Sequence, residues 1–217
     1  MFEVVPEVEA IQRAVGSSEI AGAPARTVRL RRTYDAPIEE VWDALSDPAR
    51  IGRWFLPVSG EFRVGGRYQF EGNAGGEIVA CERPSRLLVT WVYGEVSSPT
   101  DVSEVEVRLS PAGDRSTTLE LIHTAVVPDE MWEQFGPGAV GVGWDGGLLG
   151  LSLHLRGGDV TDEERAAFPF SEQGREFYRR SSAAWGEANR AAGADAALVE
   201  RNVEATTAFY TTDPTAG

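Results

Sequence analysis

Alternating apolar and polar positions dominate the first two thirds of the chain. In the first such segment, Val28, Leu30 and Tyr34 alternate with polar residues. Residues at every second position share one face of a strand, so each segment predicts a strand with one apolar face. The six predicted strands cover residues 27–34, 62–70, 77–81, 86–93, 102–109 and 117–126. Glycine pairs and prolines separate most of them by short distances, which indicates an antiparallel meander.

Several segments outside these strands have apolar residues at helical spacing. Apolar residues within 5–15 recur every three or four positions and predict a short N-terminal helix, after which residues 17–25 have the composition of a linker. Residues 38–45 have one apolar face, and a further helical turn or two ends near Trp54. The leucines in 149–155 alternate like a strand but also fit helical spacing, so the pattern alone leaves this segment open.

The composition shifts to alanine and charged residues beyond residue 158. Thr161 and Glu164 form the capping-box pattern of a short helix, which Pro169 would end. Ser171 and Asp195 are suited to cap two further helices, because a side-chain oxygen there accepts hydrogen bonds from the free N–H groups of a first turn. The last quarter of the chain is therefore predicted to be a helical extension.

A series of short motifs resembles one protein family. The motif residues are 34–48 (YDAPIEEVWDALSDP) and Trp54, then 65–68, 76–79, 88–91, 118–123 and 143–144. In this order they resemble the homologues of the heat-shock-protein ATPase activator, within the SRPBCC (START/Bet v-like) superfamily. The resemblance covers about residues 26–156.

The resemblance implies an α+β helix-grip fold, in which a curved antiparallel six-stranded sheet wraps around a long C-terminal helix. Residues 143–155 are then the long helix, and a cavity lies between helix and sheet. We divide the chain into an N-terminal tail with a short helix (1–25), the helix-grip domain (26–157) and a helical C-terminal extension (158–217). The extension departs from the simplest family members, so it is a candidate to cap the cavity, form a homodimer or bind a protein partner.

Composition and charge narrow the classes of function. Hydrophobic residues make up 42% of the chain and charged residues 25%, which is typical of a soluble globular protein. The formal net charge of -14 repels phosphate backbones and opposes nucleic-acid binding. No apolar run approaches the roughly 20 residues of a membrane span, and the single Cys81 cannot form an intramolecular disulfide. We expect a cytoplasmic protein with no nucleic-acid partner and no membrane insertion.

Inward-facing aromatic side chains are the main prediction about function. If the long helix lies across the concave face of the sheet, the polar tips of Tyr68, Trp91, Tyr93 and His123 converge on one interior. Such a wall suits a mostly apolar small ligand with a few hydrogen-bonding groups, while each residue alone fits an ordinary core equally well. The predicted ligand-binding residues are Trp54, Tyr68, Phe70, Trp91, Tyr93, His123, Trp132, Trp144, Leu148 and Leu151.

Candidate chemistry beyond binding is sparse. His123 is the only candidate general acid or base on the apolar side, and its ordinary alternative is a structural histidine inside the domain. Two histidines and one cysteine show no metal-ligand spacing, so we predict neither a metal site nor a cofactor. Cys81 is expected to be a small buried side chain.

We predict the local structure of two segments that lie near the long helix. Gly136, Gly138, Gly141 and Gly143 are predicted to form a flexible entrance loop that precedes the helix. Residues 131–135, which include two aromatic side chains, fit either a mobile lid or a short helix packed on the edge of the sheet.

Three functions compete on the sequence alone. The leading hypothesis is a binding module, not an enzyme, that holds a small hydrophobic or amphipathic molecule between sheet and helix. A cavity enzyme of the cyclase, dehydratase or hydrolase type rests on fold analogy. Regulation of a chaperone ATPase rests on the family name.

Overall fold

The chain was analysed as a computed structural model that describes residues 2–94, 103–158 and 160–212. Its strands are β1 (Gln12–Ile20), β2 (Ala23–Tyr34), β3 (Val58–Gly60), β4 (Arg67–Phe70), β5 (Gly75–Glu82), β6 (Arg86–Thr90), β7 (Ser103–Pro111) and β8 (Thr117–Ala125). Its helices are α1 (Val4–Glu9), α2 (Ile38–Ser46), α3 (Pro48–Trp54), α4 (Asp129–Phe135), α5 (Gly138–Leu155), α6 (Asp162–Ala167), α7 (Glu172–Ala191) and α8 (Ala196–Thr211). Within the described residues, no helix is both long and apolar enough to cross a membrane.

The strands form one antiparallel sheet in the order β1-β2-β8-β7-β6-β5-β4-β3. Consecutive strands from β3 to β8 are neighbours, as the meander prediction required, and β2 closes against β8. The α+β helix-grip fold is confirmed. The predicted number of six strands is wrong, because β1 and β3 bring the sheet of the described residues to eight.

The first added strand, β1, occupies much of the segment that was predicted to be the end of a helix and a linker. The predicted N-terminal helix exists but ends at Glu9. β1 then pairs with β2 along its whole length through a two-residue turn at Ala21 and Gly22, which both have the positive φ that such hairpins need. Small and polar residues at 14–18 gave β1 no apolar alternation. The division of the chain at residues 25 and 157 stays a prediction.

The predicted strand over 62–70 is also shorter than expected. Only β4 is extended there, because residues 61–66 form a tight turn in which Gly65 has φ of 77° and Gly66 packs against the backbone of Glu61. Phe62 and Val64 are therefore exposed rather than turned into the core. Val102, the first residue of another predicted strand, lies outside the described residues.

The ambiguous leucine-rich segment belongs to the long helix α5. Leu148 and Leu151 join the main core between helix and sheet, while Leu149 packs with Val8 and Phe177 on the opposite side. A helix that is buried on two sides is apolar nearly all round. This explains why its leucines showed no single helical face.

Three of the four glycines predicted to form an entrance loop lie inside α5, so that prediction is wrong. Gly141 faces the buried ring of Trp185, and Gly138 faces Thr206. A side chain at either position would overlap these neighbours. The glycines let α7 and α8 approach the long helix closely, which is a packing role rather than a flexible one.

The C-terminal extension packs as part of the core. Phe177 and Trp185 of α7 are fully buried, and α7 contacts α1, β1 and α5. The predicted caps are confirmed: Thr161 and Glu164 form a capping box, and Ser171 and Asp195 cap α7 and α8. The apolar face of α7 is therefore already occupied by this chain.

A buried carboxylate joins three of these elements. Asp145 of α5 has no exposed surface and forms an ion pair with Arg13 of β1, whose Nε lies 2.9 Å from Oδ2. From α7, Ser181 donates its hydroxyl and Trp185 its indole N–H to the same carboxylate. Burial raises the pKa of Asp145, and the bonds from Arg13, Ser181 and Trp185 oppose that rise.

A second buried ion pair fixes the other end of α5. Arg32 of β2 donates to Glu7 of α1 at 2.5 Å and to Ser152 of α5 at 2.7 Å. Arg156 donates to the second oxygen of Glu7 at 2.6 Å. Burial alone would raise the pKa of Glu7, but the two arginines hold it below its usual range.

The close contact between α5 and α7 predicts opposite effects for two matched glycine substitutions. Gly141→Ala should destabilise the protein by about 1–3 kcal/mol, because its methyl group overlaps Trp185. Gly146→Ala should be neutral or stabilising by up to about 1 kcal/mol, since its methyl group meets only the Tyr178 hydroxyl at 3.6 Å and alanine favours helix. Urea denaturation of both variants measures the difference. Equal free energies of unfolding would contradict the packing described here.

Candidate ligand-binding cavity

An apolar cavity of about 170 Å³ lies between the concave face of the sheet and helices α2, α3 and α5. Residues of six strands, β3 to β8, supply one side, mostly at alternating positions, since side chains at every second position point the same way. The strand residues in this wall are Val58, Tyr68, Phe70, Ile78, Cys81, Leu87, Val89, Val105, Val107, Leu119 and Leu121, and Trp91 follows directly after β6. The helices and the segments next to them supply Trp42, Leu45, Ile51, Trp54, Phe55, Trp144 and Leu148.

Aromatic rings in mutual contact give the wall its shape. The ring centroids of Trp91 and Trp144 lie 4.9 Å apart, and those of Trp91 and Phe70 lie 5.4 Å apart. Phe55 meets Phe70 edge-on at 5.1 Å and stacks parallel to Trp144 at 6.3 Å. Each ring is held by at least one other, so the wall is preformed.

Three exposed residues of the wall mark the mouth of the cavity. Phe62 and Arg63 come from the turn before β4, and Cys81 comes from β5. The expectation that Cys81 is buried is wrong, because Cys81 lies next to the exposed end of β5. A bulge after Ile78 shifts the register of this strand. Cys81 and Ile78 can therefore both line the cavity although they are three residues apart.

Six of the ten predicted ligand-binding residues lie in the wall. They are Trp54, Tyr68, Phe70, Trp91, Trp144 and Leu148. Leu151 is fully buried but lies outside the wall. Tyr93 is 66% exposed, because β6 ends at Thr90 and the alternation does not continue to it.

The remaining two predicted residues lie behind or beside the cavity. Trp132 belongs to the short helix α4, and its ring lies 4.9 Å from the guanidinium carbon of Arg26. The segment is a helix, as the second alternative had it, but α4 packs mainly on α8 rather than on the edge of the sheet. His123 is 5% exposed and contacts Trp144 from the side away from the cavity wall. Sequence reasoning also left out Trp42, Ile51 and Phe55, although Trp42 lies on the apolar face predicted for α2.

The hydrogen bonds of His123 fix its protonation state. Trp144 donates its indole N–H to Nδ1 at 3.0 Å, and an indole N–H cannot accept. Nδ1 therefore carries no proton, and Nε2 carries the proton and donates it to Ser103 Oγ at 2.5 Å. Burial lowers the pKa of His123 to about 4. A neutral imidazole in this tautomer holds the ring of Trp144 in place.

In this geometry His123 has no free lone pair with which to act as a general base. A base needs a free nitrogen lone pair within hydrogen-bond reach of the proton it takes. The lone pair on Nδ1 is occupied by Trp144, and Nε2 donates to Ser103. His123 is therefore a positioning residue for one aromatic ring of the cavity.

The depressed pKa of His123 predicts a loss of stability in acid. The unfolded state binds more protons than the folded state between the ordinary pKa of 6.5 and the folded value of about 4, so stability falls as pH falls through this window. Relative to His123→Gln, which cannot titrate, the wild type should lose about 3 kcal/mol across it. Urea denaturation at a series of pH values tests this. Parallel stability curves for the two proteins would contradict it, since all other titrating groups are shared.

The chain matches one family profile, described as "Activator of Hsp90 ATPase homolog 1-like protein", over residues 35–152. This match spans more than half of the chain. The chain belongs to this family. CalU16 from Micromonospora echinospora is 36% identical, with a TM-score of 0.62 over 83% of this chain and 99% of its own.

Two further structures are similar to this member of the family. MLL2253 from Mesorhizobium loti is 26% identical, with a TM-score of 0.53 over 62% of this chain and 100% of its own. DynU16, a protein in the dynemicin biosynthetic locus, is 27% identical, with a TM-score of 0.50 over 61% of this chain and 48% of its own. No curated protein matches the chain.

Proposed function

We propose that this protein binds a small, mostly apolar molecule in the cavity between the sheet and α5. The observation that supports the proposal is the presence of an apolar cavity between the sheet and α5. Aromatic and aliphatic side chains from strands and helices surround about 170 Å³ between the sheet and α5. Protein interiors rarely keep voids larger than a water molecule, so a space of this size is a feature that needs a function.

The volume limits the size of the occupant. An apolar cavity of about 150 Å³ holds benzene, while drug-sized ligands occupy roughly 300–1,000 Å³. The buried part of the ligand is therefore about one aromatic ring with a few additional heavy atoms. A larger molecule would insert one end and leave the rest at the mouth beside Phe62, Arg63 and Cys81.

The similarity to DynU16 supports a ligand from small-molecule biosynthesis. DynU16 comes from a biosynthetic locus and shares this fold. A carrier or sequestering protein for a biosynthetic product needs a preformed apolar site and no catalytic groups. The cavity described here meets the first requirement through its aromatic wall, and His123, the catalytic candidate from the sequence, has a structural role.

The competing functions receive less support from the site. A cavity enzyme would need a general acid or base in the wall, and His123, the sequence candidate, is held neutral behind Trp144. A role on a chaperone ATPase rests on the family description, and the buried face of α7 is used within the chain. A homodimer or protein partner through the extension, a cytoplasmic location and the lack of nucleic-acid binding stay predictions.

A cavity-filling variant tests the proposal. Toluene, at about 100 times its Kd, should raise the Tm of the wild type by roughly 5–10 °C, because a ligand that binds only the folded state stabilises it. Val107→Phe places a ring in the cavity and should abolish this shift. Val79→Phe is the matched control: Val79 lies on the same sheet, is exposed and lies outside the wall.

Two results would overturn the proposal. One is the absence of any shift with toluene in the wild type, which would mean that the space does not admit an apolar ring. The other is an unchanged shift in Val107→Phe, which would place the binding site elsewhere. Differential scanning fluorimetry measures all three proteins under the same conditions.

A further inference from the structure

The polar groups that sequence reasoning placed in the cavity wall are mostly occupied by the protein itself. The hydroxyl of Tyr68 donates to the carbonyl of Thr90 at 2.6 Å. Both ring nitrogens of His123 have partners, Trp144 at Nδ1 and Ser103 at Nε2. The bond to Nδ1 also occupies the indole N–H of Trp144. None of these groups can therefore donate an N–H or O–H to a ligand without breaking one of these bonds.

The indole N–H of Trp91 is the exception. Among the described residues, Trp91 Nε1 is the only buried polar atom of the cavity wall without a hydrogen-bond partner. Trp91 is 6% exposed, and the rings of Phe70 and Trp144 hold its side chain on two sides. A buried N–H without an acceptor destabilises the folded protein, so a ligand that supplies an acceptor would recover that loss.

The lack of buried charged groups around the cavity, among the described residues, disfavours a charged ligand. Among the residues that the structure describes, Arg63 is the only charged one in the wall, and it is exposed at the mouth and paired with Glu61 at 2.5 Å. A buried anion would lack a cation. A buried cation would be attracted by the faces of the aromatic rings, but this attraction is weaker than the desolvation penalty of an unpaired ion.

We propose that the occupant is a neutral, ring-sized molecule with a hydrogen-bond acceptor, such as a carbonyl oxygen, that accepts from the Trp91 indole N–H. This inference rests on the proposed ligand-binding function. It narrows the ligand from any small apolar molecule to a class that includes aryl ketones, aldehydes and quinone-like rings. Trp91 is then the specificity-determining residue of the cavity.

A matched pair of probes isolates the hydrogen bond. Acetophenone and α-methylstyrene have nearly the same shape and differ in a C=O or a C=CH2 group, so only acetophenone offers an acceptor. Calorimetric titration gives Kd for both probes in the wild type and in Trp91→Phe, which removes the N–H and keeps an aromatic ring. The preference for acetophenone over α-methylstyrene should fall roughly tenfold in Trp91→Phe.

Trp132→Phe is the control variant, because Trp132 lies outside the cavity wall. The preference should be unchanged in this protein. An unchanged preference in Trp91→Phe would overturn the assignment of Trp91 while the cavity remained established by binding of both probes. Failure of both probes to bind the wild type would instead overturn the proposed ligand-binding function.

Nuclear magnetic resonance of the wild type keeps the inference testable if Trp91→Phe does not fold. The chain has six tryptophans, and the indole N–H signal of Trp91 is identified by its contacts with the Phe70 ring. Acetophenone should move this signal downfield, and α-methylstyrene should not. Equal shifts with both probes would show that the N–H faces a ring or solvent rather than the ligand.

Discussion

The carboxylate of Asp145 is buried in α5 and holds the long helix against both ends of the chain. Arg13 reaches it from β1, and Ser181 and Trp185 reach it from α7. A buried charge is tolerated only when it is paired and hydrogen-bonded, so β1 and the C-terminal extension must both dock for α5 to take this position. The ion pair of Glu7 with Arg32 fixes the other end of the same helix. The distance between α5 and the sheet, and with it the volume of the cavity, depends on these two buried ion pairs.

The cavity exists because large aromatic rings separate α5 from the sheet, while glycines on the other side of α5 let the C-terminal helices pack closely. Trp144 projects from α5 toward Trp91 and is fixed by its hydrogen bond to His123. On the other side of α5, Gly141 and Gly138 leave room for Trp185 and Thr206. The helix therefore packs tightly on the extension and loosely on the sheet. The asymmetry of side-chain size along one helix creates the space.

The fold was largely predictable from the sequence, but the contacts of single side chains were not. Alternation and family motifs identified the meander and the long helix, because those patterns reflect which face of each element is buried. β1 was not predicted, because most of its residues are small or polar and show no apolar alternation. Its pairing with β2 is set by a turn at Ala21 and Gly22. Tyr93 and Cys81 were predicted to be buried but are exposed, because Tyr93 lies beyond the end of β6 and Cys81 lies at the end of β5. The role of His123 depends on Trp144 and Ser103, each 20 or more residues away in sequence, so no local pattern could reveal it.

A crystal structure of the protein with acetophenone is the most direct test of the account. We expect electron density for the ring between Trp144 and strands β7 and β8, with the ketone oxygen within hydrogen-bond distance of Trp91 Nε1. Density for the ring in the cavity with the oxygen turned away from Trp91 would retain the cavity and reject the assignment of the donor. Wall side chains that close the space, with acetophenone absent or bound on the outer surface, would contradict the claim that this protein holds a small molecule between its sheet and its long helix.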